Sequence, residues 1–486
     1  MVDVDMVEKE GKVANAAKWS SVTAIVSRLF TPISNMVLAR LLTPEAFGVV
    51  TTLTMIITFA ELFTDAGFQK YLIQHEFRGK EDREQSTNVA FWSNFVLSIL
   101  IWGIIIVFAR PLAALVGNPG LGHVLIVACV SIPLASFSSI QMALYQRDLD
   151  FKTLFKIRMV AILIPLVVTI PLAFWLRSYW ALIIGTIVQN VVNAVLLTWF
   201  SQWKPSLYFS WNKLHEMLSF TVWSLIEAIS IWLTAYVDVF IVGTKLSQYY
   251  LGLYKTSSTL VAQIMGLITA ATTPVLFSSL SRLQNNEGEF KKLFLKIQKM
   301  VAILVMPIGV VIYCFSDFVT NVLLGEQWLE ASGFIGLWGI TSAVTIVLSH
   351  YSSEVYRAKG RPKLSVLSQW LHIIVLWPVV VWAVRYGFET LYISRSLVRF
   401  ESIAVNVIIM QMLCNITILE MFKNILPTLV ASLLMFAVAS LLHLAGDSIM
   451  WILLAIFLCS VLYGATILSF SKERELLKAF FIKIKP

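Results

Sequence analysis

The sequence predicts an all-α polytopic membrane protein of about fourteen transmembrane helices, arranged as two pseudo-twofold-related six-helix lobes plus two C-terminal helices. Three observations carry this. The 486 residues are 58% hydrophobic and 13% charged with a mean hydropathy of +0.80, more apolar surface than a soluble core of that size can bury. The apolar residues fall in segments close to the roughly 20 residues that cross a bilayer. Finally, Arg28, Glu61, Asp65, Glu227, Asp238, Arg395 and Arg399 interrupt those segments. A charge at membrane depth is costly unless it faces a partner or a wet cavity, so a chain with this many is expected to enclose a polar pathway, as a transporter does.

Taken in order, the first six segments run from Trp19 to Arg40, Ala46 to Thr64, Ala90 to Ala109, Leu121 to Ala143, Met159 to Leu176 and Trp180 to Phe200. The next six run from Met217 to Val242, Tyr250 to Phe277, Ile297 to Phe315, Ala331 to Ser353, Ser365 to Val384 and Thr390 to Leu413, and Ile425 to Leu444 and Ile449 to Ser469 complete the set. Before the first, Met1 to Lys18 mixes acidic and basic residues; the apolar run after it is too long for a signal-peptide core and lacks a small-residue cleavage site, so the helix is expected to stay in the mature protein. Thr43-Pro44-Glu45 supplies a cap, a proline at the first helical position and an acid at the positive helix end, so a sharp turn and a new helix are expected there.

Loop charge orients the bundle. With the N-terminus inside, about twenty-eight Lys and Arg residues fall on the cytoplasmic side and five, Arg40, Arg110, Arg177, Lys245 and Arg385, on the other. Both termini are expected in the cytoplasm. The net charge of +9 therefore reflects topology and calls for no nucleic acid.

The two sets of six resemble each other. Leu42-Thr43 and Phe47-Gly48 after the first helix recur as Leu246-Ser247 and Leu251-Gly252 after the seventh, and Tyr145 with Phe151-Lys152 recurs as Tyr356 with Pro362-Lys363. Repeated halves of one orientation imply a pseudo-twofold axis along the membrane normal, with rocking around a central site. The expected divisions are 1–203, 204–424 and 425–486. Phe290 to Ile297 and Leu476 to Phe481 alternate apolar and basic residues at helical spacing and are expected along the anionic inner leaflet.

On the twelfth segment Tyr392, Arg395, Arg399, Ser402 and Asn406 recur at steps of three or four and share a face. Counted from Gly387, the arginines lie about 12 to 18 Å along the helix, too deep to snorkel comfortably. They fit an anion pathway or an internal salt bridge. The seventh segment carries Ser224, Glu227, Thr234 and Asp238 on a polar stripe, and Glu61 and Asp65 lie one turn apart on the second. Glu227, Asp238 and Glu61 are candidates for ion coupling, with neutralisation of the arginines as the alternative, while Asp65, near the cytoplasmic end, reads as structural. Arg28, on a face with Thr31 and Asn35, and Lys255 would add positive potential to a cavity. Gln189, Asn190 and Asn193 suit sugar hydroxyls or helix-to-helix bonds. His350, Glu354 and Arg357 share a face near the cytoplasmic end and read as a gate or a salt bridge.

Cys129, Cys314, Cys414 and Cys459 sit in apolar segments without CxxC spacing, and the six histidines are scattered, so no metal or other cofactor is expected. The phosphate-cradling GxxxxGK[ST] sequence does not occur, which argues against ATP hydrolysis in this chain.

The run Leu38-Ala39-Arg40-Leu41-Leu42-Thr43-Pro44-Glu45-Ala46-Phe47-Gly48 resembles the signature after the first helix of bacterial polysaccharide transporters, the Wzx-type repeat-unit flippases of the multidrug/oligosaccharidyl-lipid/polysaccharide exporter superfamily. Asp65-Ala66-Gly67 with Leu72-Ile73-Gln74, Leu149-Asp150-Phe151-Lys152, Ser279-Leu280-Ser281-Arg282-Leu283-Gln284 and Leu324-Gly325-Glu326-Gln327-Trp328 extend the resemblance over most of the chain. It implies fourteen helices in two lobes forming a V around a cationic cavity. It also implies transport of an undecaprenyl-diphosphate-linked oligosaccharide between leaflets of the bacterial inner membrane, for O-antigen, capsule or exopolysaccharide, with membrane lipids, a polymerase and chain-length proteins as partners. On this reading Arg28, Lys255, Arg395 and Arg399 meet the diphosphate, and Gln189, Asn190, Asn193 and Asn406 meet the sugars; these assignments rest on depth and face. A drug or cation exporter of the same superfamily would favour an acidic, aromatic cavity. A membrane glycosyltransferase or polymerase would carry large loops with catalytic groups, whereas the loops here are short, so no enzyme is expected.

Overall fold

The computed structural model describes residues 2–65 and 67–475, with side chains described at 15–64, 67–218, 225 and 228–475. Among these residues there is no strand, and 14 helices are long and apolar enough to cross a membrane. The chain is an all-α, multi-pass membrane protein, as its sequence predicts. By contact it divides into two units, Met1–Gly252 and Leu253–Pro486.

The first unit holds α1 (Val2–Leu41), α2 (Pro44–Thr64), α3 (Lys80–Val107), α4 (Pro119–Arg147), α5 (Phe151–Leu176), α6 (Trp180–Phe200) and α7 (Trp211–Lys245). α2 opens at Pro44 with the amides of Ala46 and Phe47 on the Thr43 carbonyl, the turn that Thr-Pro-Glu predicts. α2 packs on α3, α4 and α7, and α6 joins α4 to α5, which carries α1. The core between α2 and α4 is built from Val49, Leu53, Leu125, Cys129 and Ile132. A short helix, Phe68–Gln74, lies between α2 and α3 and packs on α4 and α7.

The second unit holds α8 (Gln248–Arg282, whose first turn falls in the first unit), α9 (Glu287–Cys314), α10 (Glu326–Ala358), α11 (Lys363–Tyr386), α12 (Phe388–Cys414), α13 (Ile418–Ala445) and α14 (Ile449–Ser469). α9 packs on α10 and α13, α10 on α12, α12 on α11, and α14 on α13 and α9. The apolar cluster of α9, α13 and α14 buries Cys459 and Tyr463, whose hydroxyl donates to the Ile303 carbonyl at 2.9 Å.

The repeated glycines meet in one contact. A β-carbon on Gly48 would lie 1.9 Å from the Gln248 carbonyl oxygen, and one on Gly252 would lie 1.8 Å from that of Pro44. The first turns of α2 and α8 thus touch backbone to backbone, which no larger residue allows. α7 packs with the first unit, so the divisions at 203 and 424 concern the sequence repeat rather than packing, and we retain them as a proposal. Residues 476–486, with the predicted amphipathic tail segment, lie outside the described residues.

Candidate functional site

The polar face of α12 meets α10 midway along both helices. Arg399 Nη1 donates to Ser342 Oγ at 2.6 Å and, at 3.4 Å each, to Thr341 Oγ1 and the Trp338 carbonyl. Its guanidinium lies 3.7 Å from the centre of the Trp338 ring, and that of Arg395 lies 5.1 Å from the same ring. Behind them Phe334 stacks on Tyr254 of α8 at 5.3 Å and on Tyr392 at 5.7 Å. Lys255, half-buried, follows Tyr254 in the chain.

Among the described residues the groups that hold Arg399 are all neutral. Hydroxyls, a carbonyl and a π face orient a guanidinium without cancelling its charge. The internal salt bridge offered by the sequence is therefore not what positions Arg399, and the arrangement suits an anion.

Below this pair, α10 contains one turn of π-helix, Ile346–His350. Such a turn displaces backbone groups from their usual partners, and two side chains reach it: Gln298 Nε2 donates to the Val347 carbonyl at 3.3 Å, and Asn406 Nδ2 donates to Ser349 Oγ at 2.9 Å. Asn406 Nδ2 also donates to the Ser402 carbonyl, and Asn406 Oδ1 accepts from Tyr356 at 2.9 Å and Ser368 at 3.0 Å. Both donors and both acceptor positions of the amide are engaged. Asn406, expected at the sugars, instead ties α10, α11 and α12 together.

Of the predicted gate, Glu354 is buried and ion-paired to Arg357, whose guanidinium also lies 5.5 Å from the Phe277 ring centre, and His350 packs edge-on against Tyr351. In the first unit Arg28 is exposed on α1, Glu61 is half-buried on α2, and Asp238 is buried on α7. The side chains of Ser224, Glu227 and Asp65 lie outside the described residues. Gln189, Asn190 and Asn193 are half-buried on α6 and form no hydrogen bond among the described residues.

Three polar contacts were not legible. His372 Nδ1 of α11 lies 2.9 Å from Glu401 Oε2 of α12. Arg147, which the sequence shows only as a loop charge, donates to the carbonyls of Leu72, Ile73 and His75 at 2.6, 3.3 and 2.7 Å. Lys299 pairs with Glu473 at 2.8 Å, with both side chains largely buried. A carboxylate thirteen residues from either end of a span was the available signal for Glu401; the neighbouring arginines obscured it.

A family model described as "Polysaccharide biosynthesis protein" matches residues 37–333. The chain belongs to this polysaccharide biosynthesis family. The chain is 23% identical to the "Succinoglycan biosynthesis transport protein ExoT" of Rhizobium meliloti over 72% of this chain and 69% of that one. It is 21% identical to the "Teichuronic acid biosynthesis protein TuaB" of Bacillus subtilis over 73% of each. Among solved structures, "Lipid II flippase MurJ, inward closed conformation" has a TM-score of 0.73 at 14% identity, covering 93% of this chain and 98% of that one. An inward-facing multidrug resistance MATE family transporter has a TM-score of 0.58 at 13% identity, covering 82% and 97%. These likenesses establish that this family member shares their fold.

Proposed function

We propose that the chain is a flippase that moves undecaprenyl-diphosphate-linked oligosaccharide repeat units from the cytoplasmic to the periplasmic leaflet for surface polysaccharide assembly, by alternating access around a cationic site. The observation that carries this is Arg399, a guanidinium deep in a span whose contacts are neutral, with Arg395 over the same indole. A diphosphate is the anion that two adjacent guanidiniums recognise well, because each offers several donors in a fixed plane. Named relatives that act in succinoglycan and teichuronic acid biosynthesis, and a fold neighbour named a lipid II flippase, support a lipid-borne saccharide as the cargo.

In this reading Lys255 and Arg28 extend the positive potential, while Gln189, Asn190 and Asn193 offer amides to sugar hydroxyls. Glu61, Asp238 and Glu227 remain candidates for ion coupling, and His350, Glu354 and Arg357 for a gate. The protein sits in the bacterial inner membrane with both termini in the cytoplasm, supported by the lysine and arginine asymmetry of the loops. The test is translocation by purified protein in vesicles of a fluorescent undecaprenyl-diphosphate oligosaccharide, read by quenching from one side. Protein-dependent exposure of the label that is lost with Arg395→Ala and Arg399→Ala together is expected; equal rates with and without protein overturn the proposal.

A further inference from the structure

Glu401 stands at the midpoint of α12, about 20 Å from either end at 1.5 Å per residue, and His372 lies about 14 Å along α11 from Lys363. Their side chains are 23% and 13% exposed, and the ring nitrogen and carboxylate oxygen are 2.9 Å apart. One turn toward the start of α11, Ser368 bonds Asn406 of α12. Ser368–Asn406 and His372–Glu401 thus both link α11 to α12, and the second link is made by two groups that titrate.

An imidazole beside a carboxylate has two accessible proton counts. With one shared proton the pair carries a net negative charge; with two it is neutral. A net charge held deep in a span and mostly covered is costly, so proton occupancy and the packing of this seam are linked.

We propose that His372 and Glu401 form a mid-membrane proton-binding site whose occupancy sets how α11 seats on α12. The proton arrives from water, and the pair passes from net charge −1 to zero. Other titratable groups on the packed helices have different engagements. Arg395 and Arg399 lie over Trp338, and Glu354 is paired with Arg357. His350 and Tyr351 pack on each other, Tyr356 bonds Asn406, and Tyr392 stacks on Phe334. Glu326 and Glu330 lie in the first turns of α10, Lys363, Arg385 and Tyr386 at the ends of α11, and Glu389 and Cys414 at the ends of α12. The inference deepens the transport reading by supplying a site for a driving ion.

The experiment places spin labels at Ile374→Cys and Ile408→Cys in protein lacking its four native cysteines, reconstituted in phosphatidylcholine–phosphatidylglycerol vesicles. The α11–α12 distance distribution is followed by pulsed EPR from pH 5 to 8. A sigmoidal shift is expected, flattened by Glu401→Gln and by His372→Gln and restored in the exchanged pair His372→Glu with Glu401→His; a merely structural contact would leave the distance independent of pH in every one of these proteins. The proposal is overturned by a response that survives both single variants, by a wild type that shows none, or by a shift that follows sodium at fixed pH. Because no cargo is present, failure here leaves the vesicle translocation result, and with it the flippase reading, standing on its own.

Discussion

Arg147 in the first unit and Arg399 in the second are both half-buried arginines against an aromatic ring, yet their surroundings differ in kind. Arg147 lies 4.4 Å from the Phe77 ring centre and donates to three carbonyls at the end of the Phe68–Gln74 helix, where the helix dipole already favours a cation. Arg399 has one long carbonyl contact, two hydroxyls and an indole. In both places the partners are neutral; the difference is that Arg147 closes a helix end whose carbonyls have no other donor among the described residues, whereas Arg399 rests on hydroxyls and an indole that can do without it, so the first acts as a lock and the second is suited to bind.

The largest effect that sharpens this contrast is on stability. Arg147→Ala strands three carbonyls and removes a charge-assisted network, and should cost roughly 3 kcal/mol. Unfolding in detergent should show a markedly lowered midpoint, with reduced protein in membranes. Arg399→Ala should shift the same midpoint by about 1 kcal/mol or less, because hydroxyls can bond each other or their own helix carbonyls, as Thr341 already does with Leu337. Equal destabilisation by the two variants would erase the distinction.

A smaller effect is expected where both partners are charged but water is near. Lys213 of α7 pairs with Asp82 at the start of α3, with side chains 19% and 27% exposed. Lys213→Ala should cost under about 1 kcal/mol in the same unfolding measurement. A loss as large as that of Arg147→Ala would show that charge pairs at the helix ends anchor the fold as strongly as the Arg147 lock does.

The spans were legible because crossing a bilayer is a property of length and apolarity that each segment carries alone. Their ends were less so: α3 begins at Lys80 rather than near Ala90, since Ser86, Thr87 and Asn88 look like loop but are buried by neighbouring helices. Arg395 and Arg399 could be found from depth and spacing. Trp338 could not, because its place beneath both guanidiniums depends on how α10 seats against α12. For the same reason Asn406 looked available to a ligand until its four partners, drawn from three helices, were known. Glu401 needed a partner on another helix, His372, before its depth meant more than one further charge among several. Gly48 and Gly252 were visible as a repeat, and only the backbone contact explains why glycine is required at both.

The most direct measurement of whether Arg399 is a binding group is equilibrium binding of a short-chain polyprenyl diphosphate to purified wild-type, Arg399→Lys and Arg399→Ala protein in mixed micelles. Loss of a charge-assisted contact worth about 1.5–3 kcal/mol weakens affinity roughly 10- to 150-fold. Arg399→Ala should fall in that range with its unfolding midpoint nearly unchanged, and Arg399→Lys should lie between, keeping the charge but not the planar donors. An Arg399→Ala protein that is folded and binds the diphosphate as tightly as wild type would contradict the assignment.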